Sequence, residues 1–84
     1  MNKDIYDLLE KRNFKNYMIE TVSETVIKLS RLGEEKSATM TLDFDNCFIT
    51  PSSADLHTFR LLLKMALVVI EELGQDVDEW TIKI

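Results

Sequence analysis

The longest apolar run in the chain, Leu61 to Ile70, is interrupted by one charge, at Lys64. At about 100° per residue its apolar positions Leu61, Leu62, Leu63, Met65, Ala66, Leu67, Val68, Val69 and Ile70 circle the whole axis of a helix. A helix of that kind must be covered on all sides. Charges at Arg60, Glu71 and Glu72 bracket the run, which has about half the length a bilayer core requires, so the pattern predicts a core helix and not a membrane span. Upstream, Thr50-Pro51-Ser52-Ser53 reads as its start: Pro51 suits the first helical position behind a Thr50 cap, and Ser52 with Asp55 makes a variant of the capping box. Gly74 closes it, giving a predicted helix over 53–73.

Between Lys3 and Leu32 apolar residues also fall at helical spacing. Ile5, Leu8 and Leu9 form a first stretch, and Met18, Val22, Val26, Leu29 and Leu32 form one stripe, widened by Tyr17, Ile19, Thr25 and Ile27. The spacing predicts helix throughout, interrupted around Arg12, Asn13 and Phe14, where Asn13 or Asn16 can serve as a new N-cap, and stopped by Gly33. After Glu34, Glu35 and Lys36 the period changes to two. Ala38, Met40, Leu42 and Phe44 alternate with Thr39, Thr41 and Asp43 as in a half-buried strand. Asp45 and Asn46 supply turn chemistry, and a hairpin closed there sets Phe44 opposite Cys47 and Leu42 opposite Ile49. The alternative, one unbroken strand through Thr50, puts Asn46 on the apolar face. Trp80, Ile82 and Ile84 alternate with Thr81 and Lys83 as a terminal strand.

The expected architecture is one small α+β domain over 1–84 in α-β-β-α-β order, with a three-stranded, mainly antiparallel sheet packed on helices. Such a sheet covers one side of the second helix and the first helix covers another, which leaves the Leu61, Met65, Val68 face without an internal partner. Each such side chain contributes roughly 1.5–3 kcal/mol when buried, so the pattern predicts a homodimer with that face as its interface. Alternatively the first helix bends at Asn13 and its Ile5, Leu8 and Leu9 segment closes the gap.

Composition and charge narrow the function classes. A hydrophobic fraction of 45% with 30% charged residues belongs to a folded domain and not to a disordered chain. The single cysteine, Cys47, cannot form an internal disulfide, and with no signal-peptide pattern after Met1 the expected compartment is the cytoplasm. Residues 1–33 carry six Lys/Arg against five Asp/Glu, whereas residues 34–84 carry four against ten. The acidic C-terminal half repels phosphate backbones and attracts basic surfaces, which disfavours nucleic acid as a partner.

Few residues of the chain point to catalytic chemistry. His57 is the only histidine, and pairing it with Cys47 as a thiolate couple competes with a buried cysteine acting as a small apolar residue and an exposed helix-start imidazole. The two glycines, Gly33 and Gly74, both read as helix stops, so no phosphate-cradling loop is formed and no cofactor is expected. Lys11, Arg12 and Lys15 cluster near Phe14 and Tyr17, an arrangement able to grip phosphates but more commonly a solvated face. Asp43 and Asp45, with Asp76, Asp78 and Glu79, converge on one rim if the terminal strand pairs beside the hairpin. That run lacks the spaced ligands of a calcium loop, and a solvated acidic rim is expected rather than a metal site. Phe48, on the polar side of the hairpin beside Asp43, is the outward aromatic best placed for a partner.

The expected function is therefore a noncatalytic acidic protein-binding module that docks Asp43, Asp45, Phe48, Asp76, Asp78 and Glu79 on a basic protein surface. Small phage-type inhibitors share this size and charge sign, an analogy of class that assigns no residues. The alternative is a homodimeric structural or assembly subunit with no separate ligand site.

Overall fold

The computed structural model describes residues 2–15, 17–31, 38–52 and 56–83. They form helix α1 (Asn2–Lys11), strands β1 (Tyr17–Thr21), β2 (Val26–Arg31), β3 (Ala38–Asp43) and β4 (Phe48–Pro51), helix α2 (Leu56–Glu72), a 3-10 helix (Val77–Glu79) and strand β5 (Thr81–Ile82). The fold class is α+β, with a five-stranded mixed sheet in the order β1-β2-β3-β4-β5 in place of the expected three strands. The first four strands meander antiparallel, and β5 runs parallel to β4 after the α2 crossover.

The expected helix from Lys3 to Leu32 is corrected. It ends at Lys11, and residues 17–31 are two paired strands. Asn13 is not an N-cap but the residue that stops α1: it sits at φ 64, its N–H bonds the Glu10 carbonyl and the Phe14 N–H bonds the Leu9 carbonyl. These two bonds are the Schellman pair that satisfies terminal carbonyls, and Asn is among the few residues that tolerate the left-handed conformation it requires. Gly74 stops α2 in the same way at φ 81, with bonds from Gly74 to Glu71 and from Gln75 to Ile70, as the sequence predicts. Gly33 lies outside the described residues.

Period two governs burial in the sheet. Directly paired residues share a face, so Ile19, Leu29 and Met40 form one inward row and Ile27, Leu42 and Ile49 the next. All six are buried, whereas Met18 and Val22, members of the supposed helical stripe, are 49% and 58% exposed. The outward face carries Glu20, Lys28, Thr41 and Thr50 across one row and stands in water, with Lys28 and Glu20 paired at 3.9 Å.

In the hairpin Leu42 stands opposite Ile49 as expected, but the ladder ends at Asp43 and Phe48, so the expected pairing of Phe44 with Cys47 is not formed. Its connection is a four-residue turn over 44–47 with Cys47 at φ 56. Pro51 is the last residue of β4 rather than the first of a helix, and Ser52 bonds Thr39. Asp55, the expected partner of Ser52 in a capping box, lies outside the described residues.

The two extra strands also change the covering of α2, which lies on β2 and β3 while α1 lies on β1 and against α2. Leu62, Met65, Ala66, Val69 and Ile70 are buried, and Ile5 and Leu9 of α1 join them in one core. The α1 segment thus closes on α2, though α1 ends before Asn13 rather than bending there, and Leu61 and Val68 stay half-buried. Each of the larger side chains buried here stabilises the fold by roughly 1.5–3 kcal/mol.

The outer edge of β1 is occupied by α1. The Tyr6 hydroxyl accepts the Ile19 N–H at 2.9 Å and donates to the Ile19 carbonyl at 3.3 Å, while the Tyr17 hydroxyl donates to the Tyr6 carbonyl at 3.1 Å. The two rings stack with centroids 5.6 Å apart. An edge strand left open invites pairing with another chain, and this hydroxyl blocks its centre.

Candidate functional site

Topology decides where the predicted acidic residues go. The β3–β4 turn and the 3-10 helix both lie at the end of the sheet where β4 and β5 begin, since those strands are parallel. The Thr81 N–H donates to the Cys47 carbonyl at 2.9 Å and ties the two segments together. Asp43, Asp45, Asp76, Asp78 and Glu79 therefore share one end of the molecule. The β1–β2 turn, with Glu24, reaches the same end, where the Phe44 N–H donates to the Thr25 carbonyl at 2.8 Å. The C-terminal turn of α2, with Glu71 and Glu72, arrives there too, because α2 must return to it before β5 starts.

The five carboxylates are not equivalent. Asp43 accepts the Asp45 N–H at 3.0 Å, the Asn46 N–H at 3.2 Å and the Asn46 side-chain amide at 2.9 Å. These bonds, the Asn46 side chain first, hold the Asp43 carboxyl below the usual carboxylate range. Asp76 caps the 3-10 helix by accepting the Asp78 N–H at 3.0 Å. Two of the five therefore shape turns, and Asp45, Asp78 and Glu79 stand exposed with their carboxylates free of such bonds among the described residues.

Phe48 faces outward opposite Asp43, as expected, yet it is half-buried. The Lys83 ammonium stands 4.7 Å from its ring centroid, so one face of the ring already holds a cation of this chain. On the inward side, Trp80 meets Phe44 edge to face at 5.0 Å, packing the base of the acidic end. The indole N–H of Trp80 is buried with no acceptor among the described residues.

The face predicted to dimerise divides. Met65 is 2% exposed, sealed in the core of its own chain, and Leu61 and Val68 are half-buried. Large apolar side chains stand further out at Leu56, 71% exposed, Leu67, 36%, and Leu73, 41%. Cys47 and His57 lie at opposite ends of β4 and are not brought together. His57 instead joins Arg60, Leu61 and Lys64 around a shallow pocket of about 140 Å³ on α2. Lys15 lines a pocket of about 390 Å³ with Tyr6, Glu10, Asn13, Phe14 and Tyr17. Burial first, and then the charge of Glu10 beside it, push the Tyr17 phenol up.

A groove of about 400 Å³ between the two helices was not anticipated. Ile5, Leu8, Val69 and Leu73 form its apolar part, and Asp4, Asp7, Glu72 and Lys11 its charged margin. The signal for it was the α1 stripe of Ile5, Leu8 and Leu9 beside Asp4 and Asp7, hidden by extending that helix too far. Among the described residues no group of three or more His, Cys, Asp or Glu is arranged to hold a metal ion. No helix among them is long and apolar enough to cross a membrane. No family model matches the chain, and no curated protein or solved structure matches it.

Proposed function

We propose that the protein is a noncatalytic binding module of the cytoplasm that docks on a basic protein surface through the carboxylates at its turn end, and that it works as a homodimer. The observation that carries this reading is the hydrogen bond from Thr81 to Cys47, which ties the start of β5, two residues past the 3-10 helix, to the β3–β4 turn. Through it Asp45, Asp78 and Glu79 act as one patch, built on two rigid turns whose internal bonds are supplied by Asp43 and Asp76. Carboxylates that project from fixed backbone lose little conformational freedom on docking and steer a cationic partner by their field. Nucleic acid is repelled by the same patch. Phe48 contributes through its ring face opposite Lys83 or after Lys83 is displaced. Small inhibitors that cover a nucleic-acid-binding or otherwise basic surface of a target enzyme fit this description.

The test is a triple charge reversal, Asp45→Lys, Asp78→Lys and Glu79→Lys, assayed by capture of proteins from lysate and by thermal unfolding. The reading requires that the captured proteins be lost while the melting temperature stays put. Undiminished capture by a folded triple variant refutes it. The alternative, an assembly subunit with no separate ligand site, is favoured by the leucines exposed along α2. It requires that the triple variant assemble and behave as the parent does.

A further inference from the structure

The apolar side chains that α2 leaves in water are organised. Its buried residues Leu62, Met65, Ala66, Val69 and Ile70 mark the side that lies on β2 and β3, and α1 borders the flank of Val69, Glu72 and Leu73. At 100° per residue the opposite flank, turned toward β4 and β5, carries Leu56, Arg60, Leu63, Leu67 and Glu71. Their spacing of four, three, four and four residues is that of a helix-packing seam. Leu56 is 71% exposed, Leu67 36% exposed and Leu63 half-buried. Beside this flank, Ile82 of β5, which is aligned with the buried Ile49, is 41% exposed.

We propose that this flank is the contact between two copies of the chain, packed antiparallel about a two-fold axis that passes between Leu63 and Leu67. The charges select that occupant. Arg60 stands near one end of the seam and Glu71 near the other, both exposed, and among the described residues neither forms an ion pair. In the antiparallel register Leu63 of each copy meets Leu67 of the other, and Arg60 of each meets Glu71 of the other. A two-fold contact needs a patch complementary to itself, and an apolar centre with a cation at one end and an anion at the other has that property. A parallel pair sets Arg60 on Arg60. A uniformly basic partner meets Arg60 and Lys64 and a uniformly acidic one meets Glu71, whereas the second copy sets its Glu71 against Arg60 and leaves as like charges only the two exposed Lys64 ammoniums at the margin of the seam near the axis. The seam leaves the turn-end carboxylates Asp45, Asp78 and Glu79 outside the pairing, so a dimer presents two docking patches. The inference rests on the dimeric part of the reading above and moves the contact away from Leu61, Met65 and Val68.

Arg60→Glu and Glu71→Arg separate the possibilities in sedimentation equilibrium and native mass spectrometry. Both positions are exposed on a helix and both variants should fold. The parent chain is expected to dimerise, and each single reversal to weaken association about tenfold by setting like charges together at two symmetric points. An equimolar mixture of the two variants should form dimers holding one copy of each, and the doubly reversed chain should return to the parent affinity. A dimer that ignores both reversals but is broken by Leu61→Asp or Val68→Asp overturns the seam and leaves the dimeric reading standing. A parent chain that stays monomeric at hundreds of micromolar overturns both, while capture of a basic partner by that monomer leaves the docking patch intact.

Discussion

Replacing Tyr6 by Phe removes one oxygen and tests the fold at the point where sequence pattern and structure part. That hydroxyl accepts the Ile19 N–H and donates to the Ile19 carbonyl, at 2.9 and 3.3 Å, on the outer edge of β1. The ring itself remains able to stack on Tyr17, so packing is conserved and only the two hydrogen bonds are lost. A hydrogen bond of this kind contributes roughly 0.5–1.5 kcal/mol, and the site is only partly buried, so the pair should be worth about 1.5 kcal/mol. For a domain of this size 1 kcal/mol moves the melting temperature by about 4–8 °C, so the midpoint should fall by roughly 6–12 °C. Urea unfolding should give the same loss, and the Ile19 amide should exchange with solvent faster than in the parent. Freed edge groups should also make the variant more prone to associate through β1. In a continuous helix from Lys3 to Leu32 the same hydroxyl points to water and its removal costs nothing beyond the usual surface scatter of about 0.5 kcal/mol. A Tyr6→Phe protein with parental stability and an unchanged Ile19 amide would refute the edge-strand assignment.

Met65→Ala should cost about 2–4 kcal/mol in urea unfolding, because a side chain 2% exposed leaves a cavity in its own core. A protein that keeps its stability but loses its dimer would return Met65 to an interface. Gly74→Ala should cost about 1 kcal/mol, all of it from the left-handed backbone at φ 81, since an added Cβ meets nothing within 4 Å; a neutral or stabilising result would mean that the α2 stop is not rigid. Asp43, whose carboxyl is held down in the folded state, favours the fold at pH values above its unfolded value, near the ordinary 3.8, and this contribution disappears as pH falls through the lower folded value. Asp43→Asn should therefore flatten the acid limb of a pH–stability curve, and an acid limb identical to the parent's would show that the turn does not depend on that charge.

The parts of the chain that could be read from sequence are those where pattern and punctuation agree. Residues 56–72 have the composition of a core helix and end on a glycine, and residues 38–49 alternate strictly around Asp45-Asn46, so the helix and the hairpin register were both legible. Residues 17–31 were not, because Met18, Val22, Val26 and Leu29 happen to repeat at helical spacing and the turn over 22–25 contains no glycine, proline or asparagine. A contrary signal was present in Ile19, Thr21, Val22, Thr25, Val26 and Ile27, a density of β-branched residues that fits a pleated surface better than a helix. That signal over the spacing gives two strands, of which β2 covers part of α2 and β1 carries α1 against it, while Leu56, Leu67 and Leu73 stay exposed.

The acidic patch was legible only as a condition, that the last strand should lie beside the hairpin. Parallel neighbours need a long crossover connection, usually a helix that runs back across the sheet, and α2 between β4 and β5 is of that kind. Given β4, α2 and β5 in that order, the segment before β5 must return to the end where β4 begins, which is the end that carries Asp43 and Asp45. An antiparallel β5 would have sent Asp76, Asp78 and Glu79 to the far end, beside the start of α2 with His57, Arg60 and Lys64, where they would be neutralised. The direction of one two-residue strand thus decides whether the carboxylates reinforce one another or are cancelled. Replacing Thr81 by Pro, which removes the N–H bonded to Cys47, should loosen the 3-10 helix from the turn and weaken partner capture while every carboxylate remains in the chain.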